Sequence, residues 1–504
     1  MIESKNLNPE LIRAMKEKKI DIDATLALLN TINSTQIDEK PAIQFTGLPN
    51  IDGKVIVNCK NLDFFDAPEA RAKEILALTN LPETLATSKT NGIWRFERQA
   101  LIRIGTALFA FTAYGVLNGG SATSYGDVKK NASINADVFN AIKPIFDTLA
   151  PLCKDKPKGI TPAYLNPDGS PGESFLMCKM RILVEHARTY HSLFGKPPRE
   201  LLPFFQMTSD GTDDALREAY REYEQHPWLK KGMERTGTYP TRPRTAKQPL
   251  IAAFTHSSHG NPRTIFTEAY GKPNNPLALP GGHGQSFQVL KNIYQVLLND
   301  GYRFAMLGNV DNMGYYPDPL LIAVTALSGN DAMFEFTYRT PLDVKGGIVV
   351  TLPNGKITAI DIGQSIPLAQ VLEFERQGKT VLANCGAGIF DLKILTKKID
   401  TIIKSLPIHL TDQDKDAGKY SQAEQTTWEV IGLLDKPGGL AVEKKQRFLA
   451  AKMLTETILG SWSNTSAFPK EFAETARLMQ EGIHTVLSGP CNLKLLNGKW
   501  QAED

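Results

Sequence analysis

Apolar residues recur at a spacing near 3.6 over Pro9 to Lys18 and over Ala67 to Leu78, which predicts amphipathic helices there. Asp66-Ala-Pro-Glu, with a capping Asp and an early Pro, suits the start of the second. Residues 1–90 therefore read as a helical N-terminal segment. From 91 to 400 short apolar runs alternate with amphipathic stretches, the pattern of an α/β domain. Strands are predicted at Phe109 to Leu117, Phe204 to Ser209, Leu250 to Phe254, Arg303 to Gly308 and Thr380 to Asn384. Helices are predicted from Asp213 and over Ser286 to Asn299. Gly347 to Leu352, Asn354-Gly355 and Ile357 to Ile362 read as a hairpin. Tyr223 to Pro249 and Thr411 to Lys419 are polar enough to read as exposed loops. Residues 401–504 read as a small, mostly helical C-terminal domain, with Ser421 to about Glu481 mostly helical and a short hairpin around Asn497-Gly498.

The remaining bulk properties narrow the class. A chain of 504 residues suggests two to four domains and a large core. With 42% hydrophobic and 22% charged residues it has ordinary globular composition. A net charge of +3 points to neither nucleic acid nor a membrane surface. Cys59, Cys153, Cys178, Cys385 and Cys491 are scattered without a C-x-x-C pair, so no disulfide framework is expected. The first residues are charged and lack an apolar signal core. The most apolar stretch, Ile104 to Leu117, is too short to span a bilayer. The expectation is a cytoplasmic enzyme.

Four short segments carry candidate chemistry. Leu117-Asn-Gly-Gly-Ser-Ala-Thr-Ser-Tyr-Gly126 follows a predicted strand, and such a glycine-rich turn presents backbone N–H groups to an anion. Taken alone it is also read as an ordinary turn. It is not a P-loop, because no Gly-Lys-Ser/Thr follows. Asn309-Val-Asp-Asn-Met-Gly314 places Asp311 at a strand's C-terminal end, where open α/β sheets bind ligands and where Mg²⁺ takes a carboxylate beside substrate phosphates. An Asx turn is the simpler reading. Arg339-Thr-Pro-Leu-Asp-Val-Lys-Gly-Gly347 sets Lys345 beside two glycines, as a phosphate cation or a solvated turn residue. Leu279-Pro-Gly-Gly-His-Gly-Gln285 fixes His283 in a stiff loop, where a structural role competes with a catalytic one. No histidine pattern suits zinc, since His256 and His259 lack a third ligand, and no G-x-S-x-G marks a serine nucleophile.

Taken in order, these segments resemble the eukaryotic-type UTP–glucose-1-phosphate uridylyltransferase family. Its L-N-G-G-x-G-T-S-x-G is matched at Leu117, Asn118, Gly119, Gly120, Thr123, Ser124 and Gly126. Its M-N-S-F-N-T-D-E is similar to Met207 to Asp214, and its P-x-G-H-G-D to Pro280 to Gln285, including Gly282 and His283. Its N-I-D-N-L-G corresponds to Asn309 to Gly314, its D-V-K-G-G to Asp343 to Gly347, and its R-F-L-P-V-K to Arg447 to Lys452. The resemblance implies a Rossmann-like, GT-A-like nucleotidyltransferase: a mixed sheet flanked by helices. It further implies UTP over the first loop, Mg²⁺ on Asp311, and Lys345 and Lys452 near the α-phosphate and a sugar phosphate. The sugar phosphate would attack the α-phosphorus in line, with no protein nucleophile.

The departures shape the remaining expectations. Ala122 stands where the family has a glycine. The family's lysine in C-K-G-P-K-S has no match directly after Gly126, and Lys130, or Lys129, is the expected stand-in. The uracil-reading Gln of F-x-Q-S is aligned with His256. The sugar-side F-N-T-N-N becomes Ala383-Asn-Cys-Gly-Ala387, keeping Asn384. The family's C-terminal left-handed β-helix is expected to be absent or much shortened. Glucose-1-phosphate is the first expected acceptor. An N-acetylhexosamine-1-phosphate, a broader set of sugar phosphates, or a non-catalytic nucleotide-binding relative is the alternative.

Overall fold

The computed structural model describes residues 7–35, 43–120, 122, 125–340, 343–363, 365–461 and 468–503. Its centre is a ten-stranded sheet. In chain order the strands are β1 (Ile56–Asn58), β2 (Thr112–Leu117), β3 (Phe204–Ser209), β4 (Arg244–Gln248) and β5 (Phe304–Asn309). They are followed by β6 (Ala332–Tyr338), β7 (Gly346–Thr351), β8 (Ile357–Ile362), β9 (Leu382–Asp391) and β10 (Pro437–Val442). The spatial order is β1-β10-β6-β9-β5-β2-β3-β4, and the β7–β8 hairpin is attached through β9. Along this path all pairings are parallel except the two made by β9. The mixed sheet expected from the resemblance is therefore present.

Period-two alternation decides what each face of the sheet buries. Tyr114 and Val116 of β2 join Met306 of β5 beneath helices Arg98–Ala107, Phe175–Phe194 and Pro319–Ser328. Ala113 and Leu117 face the other way, with Phe205, Met207 and Leu307, toward helices Lys291–Asn299 and Leu392–Ser405. The register pairs Leu117 with both Asn309 and Met207, and Ser209 with Gln248. The C-terminal ends of β2, β3, β4 and β5 thus share one edge. That edge is where α/β sheets place their ligands.

Several expectations change. The first 90 residues hold helices at Pro9–Glu17, Ile22–Thr35 and Glu69–Thr79, but also strands, and β1 is an edge of the main sheet. Asp66 does not cap a helix. It lies in the strand Phe64–Pro68 and pairs with Arg95 at 2.7 Å. The supposed loop Tyr223 to Pro249 contains helix Lys230–Thr236 and β4. The supposed loop Thr411 to Lys419 lies in the antiparallel pair His409–Lys415 and Gly418–Glu424. After residue 400 the chain returns to the main sheet as β10, between β1 and β6, so that stretch is not purely helical. The helices over Asp213–Tyr223 and Lys291–Asn299 and the β7–β8 hairpin fall where the pattern puts them. So does the terminal pair Lys494–Leu496 and Lys499–Gln501.

One buried ion pair ties the C-terminal part to the sheet. Arg447 and Glu335 of β6 are 3% and 0% exposed. They bond bidentately, Nε to Oε2 at 2.8 Å and Nη2 to Oε1 at 2.7 Å. Arg447 Nη2 also donates to the Tyr316 carbonyl at 3.0 Å. Removing one partner strands the other as an unpaired charge. Glu335→Ala is expected to cost about 3–5 kcal/mol of stability. Chemical denaturation checks this, and a loss below about 1 kcal/mol would show that the pair is not the dry contact its burial indicates.

Candidate active site

The glycine-rich loop leaves β2 at the shared edge. Leu117 itself packs into the core beneath it. Asn118 is fully buried, its N–H donating to the Met207 carbonyl at 2.9 Å and its amide to Gln206 Oε1 at 3.0 Å. Ser209 Oγ donates to the Gly119 carbonyl at 2.9 Å. Ala122 is 1% exposed within the larger core, so the Cβ that the family lacks there is accommodated by packing. Thr123 and Ser124 lie outside the described residues.

Lys130 is exposed on the short helix Val128–Ala132. The lysine that meets the loop is Lys158. Its N–H donates to the Gly120 carbonyl at 3.1 Å, and its ammonium lies 2.5 Å from Asp311 Oδ2. A signal for it was present. Cys153-Lys-Asp-Lys-Pro-Lys158 keeps the order of the family's C-K-G-P-K, displaced by an insertion after Gly126.

Asp311 follows β5 and is held by the segment carrying Lys452. The Ala451 N–H donates to the Asp311 carbonyl at 3.1 Å, and the Met313 N–H to the Leu449 carbonyl at 3.1 Å. Asn312, 1% exposed, donates to the Arg447 carbonyl at 2.9 Å and accepts the N–H groups of Gly314 and Leu449. Beneath this loop the fully buried Lys179 donates to the carbonyls of Asn312 (2.7 Å) and Tyr315 (2.9 Å). Burial pushes its ammonium pKa down to about 7, against the opposing pull of Asp311. The second carboxylate oxygen of Asp311, Oδ1, is buried without a hydrogen-bond partner among the described residues. A carboxylate oxygen in that position fits a hard divalent cation, which takes one or two carboxylates and completes its shell with phosphates and water.

Beside Asp311 opens a cavity of about 710 Å³ whose lining includes His283, Asn309, Lys345, Asn384 and Lys452. Lys345 and Lys452 are exposed and have no ion-pair partner among the described residues. The loop before Lys345 is fixed by Asp343, which accepts from Thr340 N (2.8 Å) and Lys444 Nζ (2.7 Å); Pro341 and Leu342 lie outside the described residues. Asn384 accepts the Gly386 N–H at 2.9 Å. Between Phe334 and Phe336 the β6–β9 register slips, which bends β9 at 385–387. Gly386 has φ +63°, and a Cβ there would stand 2.9 Å from the Asn309 amide. Glycine therefore replaces a family asparagine for a backbone reason. Asp361 and Glu429 line the same cavity. Burial raises the Asp361 carboxyl pKa, and the Glu429 charge adds to the shift.

His283 is a neutral donor. The Thr427 N–H donates to its Nδ1 at 3.0 Å, while the Thr427 hydroxyl donates to the His283 carbonyl at 2.7 Å. Nδ1 is thus an acceptor, and the proton resides on Nε2. Burial first, then the Lys452 charge, pushes its pKa down to about 4. His256 stands elsewhere, 3.6 Å from Asp412 beside the strand pair that includes His409–Lys415. The glutamine at the parallel edge is Gln248, at the end of β4. It is 5% exposed and donates to the Gly282 carbonyl (2.7 Å) and Gln285 Oε1 (2.9 Å). Its Oε1 lies 3.3 Å from where a Cβ on Gly119 would be. Gln248 touches both glycine-rich loops, a position that His256 does not share.

A predominantly parallel sheet with a glycine-rich loop and the Lys158–Asp311 pair at the C-terminal ends of its strands defines an α/β protein with a ligand site at that edge. Residues 261–482 match the family model for UTP–glucose-1-phosphate uridylyltransferase. A UTP–glucose-1-phosphate uridylyltransferase from Musa acuminata is 28% identical over 216 residues, 42% of this chain and 45% of that protein. A probable one from Schizosaccharomyces pombe is 24% identical over 326 residues, 62% and 59% of the two chains. The chain spans about half the length of these curated relatives. Among solved structures, a UDP-glucose phosphorylase from Trypanosoma brucei superposes with TM-score 0.54 at 18% identity, covering 90% of this chain and 77% of that one. The Leishmania major UDP-glucose pyrophosphorylase gives 0.52 at 16%, covering 90% and 78%. A putative UDP-N-acetylglucosamine pyrophosphorylase from Entamoeba histolytica gives 0.51 at 16%, covering 70% and 79%. These share the fold. No helix among the described residues is long and apolar enough to cross a membrane.

The tautomer and burial of His283 have a consequence for acid stability. Its pKa is about 4 in the folded protein, below the ordinary 6.5. The unfolded chain then binds the extra proton first, so this stabilisation is complete above pH 6.5 and is lost as pH falls toward 4. His283→Gln lacks that contribution. The stability of wild type relative to His283→Gln, from denaturation midpoints between pH 7 and 4.5, is expected to fall as acid is added. A constant difference would contradict the neutral assignment.

Proposed function

We propose that this chain transfers a uridylyl group from UTP to a sugar-1-phosphate, glucose-1-phosphate first, giving a UDP-sugar and pyrophosphate. The observation that carries the reading is the Lys158–Asp311 pair beside the glycine-rich loop, next to a cavity lined by Lys345 and Lys452. The acceptor phosphate is already ionised at neutral pH, so the chemistry needs no strong base. Its obstacle is the approach of two polyanions, which cations and alignment overcome.

In this reading the triphosphate lies along Asn118, Gly119 and Gly120, and Gln248 reads the base. Lys158 leaves Asp311 Oδ2 for the phosphates. Asp311 would hold Mg²⁺, and the ion would supply charge neutralisation at the phosphates. Lys345 and Lys452 hold the sugar phosphate against the α-phosphorus. An oxygen of the sugar phosphate forms the new P–O bond as the bond to the β-phosphate oxygen breaks. The His283 Nε2–H donates to oxygens gathering charge. Asn384, Asp361 and Glu429 accept from sugar hydroxyls. The bend at 385–387 favours a second reading, the same transfer to an N-acetylhexosamine-1-phosphate, because Gly386 and Ala387 replace larger side chains.

Pyrophosphate release from UTP and Mg²⁺ over a panel of sugar-1-phosphates tests the proposal. The ranking of kcat/KM separates the two acceptors, and no turnover with any sugar would sink the reading. Asp311→Ala, Lys158→Ala and Lys345→Ala are each expected to lower kcat by roughly 10²–10⁴. A wild-type rate in any of them refutes that residue's role.

A further inference from the structure

We propose that Asn131, on the segment inserted after the glycine-rich loop, is a positioning residue that fixes Lys452 relative to Lys158. The inference rests on the phosphate-binding reading of those two lysines. In the family motif the lysine follows the loop directly, whereas here the short helix Val128–Ala132 and the long helix Ala136–Cys153 intervene. The long helix packs against helix Leu454–Leu459, which begins two residues after Lys452.

Asn131 is fully buried. Its amide nitrogen donates to the carbonyls of Tyr125 and Asp127, both at 2.8 Å. Its amide oxygen accepts from the Thr455 N–H and the Thr455 hydroxyl, both at 2.8 Å. Two donors and two acceptor sites exhaust what an asparagine offers. The first two bonds alone would describe a local turn. The last two cross 324 residues of sequence and hold the helix that carries the backbone out of Lys452. Tyr125 repeats the link: its carbonyl accepts the Leu454 N–H at 3.0 Å, and its hydroxyl pairs with Thr457. The Tyr125 ring meanwhile faces the Lys158 ammonium, 5.1 Å from its centroid. One buried amide therefore joins the backbone of Tyr125, whose ring faces Lys158, to the helix that begins just after Lys452. A displacement near 1 Å at either lysine is enough to cost about 10²-fold in rate.

The test is a rate cycle of Asn131→Ala, Lys452→Ala and the double variant, read as UTP-dependent pyrophosphate release well below the unfolding temperature, with Tm measured alongside. Asn131→Ala is expected to lower kcat roughly 10- to 100-fold, with KM for UTP held within about 2-fold. In the Lys452→Ala background the same change is expected to alter kcat by less than about 2-fold, because the group it positions is already gone. The loss of Tm should be equal in both backgrounds. Thr455→Val removes one of the four bonds and should show the same pattern more weakly, while Thr455→Ser restores the rate; this pair serves if Asn131→Ala does not fold. A normal kcat in Asn131→Ala or Thr455→Val, or losses that multiply fully in the double variant, overturns the proposal. An inactive wild type removes the functional reading as well, whereas an active wild type with an indifferent Asn131→Ala removes the positioning role alone.

Discussion

The site depends on the stitch between two loops, residues 309–314 after β5 and residues 447–452 near the end of the chain. Asn312 makes the join with one amide donor and a doubly used amide oxygen, both buried. Each net hydrogen bond contributes only about 1 kcal/mol, yet breaking the set leaves buried donors and acceptors unmet, which costs more. Geometry follows from it. Asp311 comes from the middle of the sheet and Lys452 from a distant part of the sequence, and the Ala451–Asp311 backbone bond brings them to adjacent positions. Arg447 and Glu335 anchor the second loop, while Lys179 neutralises carbonyls beneath the first.

Charge placement then decides what the edge can hold. Lys158 satisfies Asp311 Oδ2, and Oδ1 is without a partner among the described residues. Two further lysines line the cavity without counter-ions among the described residues, while Asp361 and Glu429 also line it. A ligand that is anionic in one part and rich in hydroxyl donors in another matches that distribution. His283 adds a donor without adding charge, because burial and Lys452 both disfavour the imidazolium.

Much of this was legible in the residues, and the failures have physical causes. The strand Phe204–Ser209 and the hairpin around Asn354-Gly355 announce themselves by apolar runs and a strong turn signal. β4 reads Arg-Thr-Ala-Lys-Gln, since an edge strand half in solvent has little apolar patterning, and Gln248 was hidden with it. β10 reads Pro-Gly-Gly-Leu-Ala-Val; its glycines look like a turn, although the whole strand is buried between neighbours. The far half of β9 was lost because Asn-Cys-Gly-Ala-Gly carries a bulge, not an alternation. Asp311, His283, Lys345 and Lys452 can be named from the sequence because their motifs are compact. Lys158 is less visible because an inserted pair of helices separates it from its loop, so that only the order of Cys153 to Lys158 points to it.

In the proposed reaction, transfer at the α-phosphorus is one in-line displacement organised by charge, with no covalent protein intermediate. The most direct measurement is the stereochemistry of transfer from UTP carrying a single chiral sulfur substitution at the α-phosphorus, read by phosphorus NMR of the UDP-sugar formed from glucose-1-phosphate. Inversion of configuration is predicted. Retention, which requires two successive displacements through a nucleophile on the protein, would contradict it.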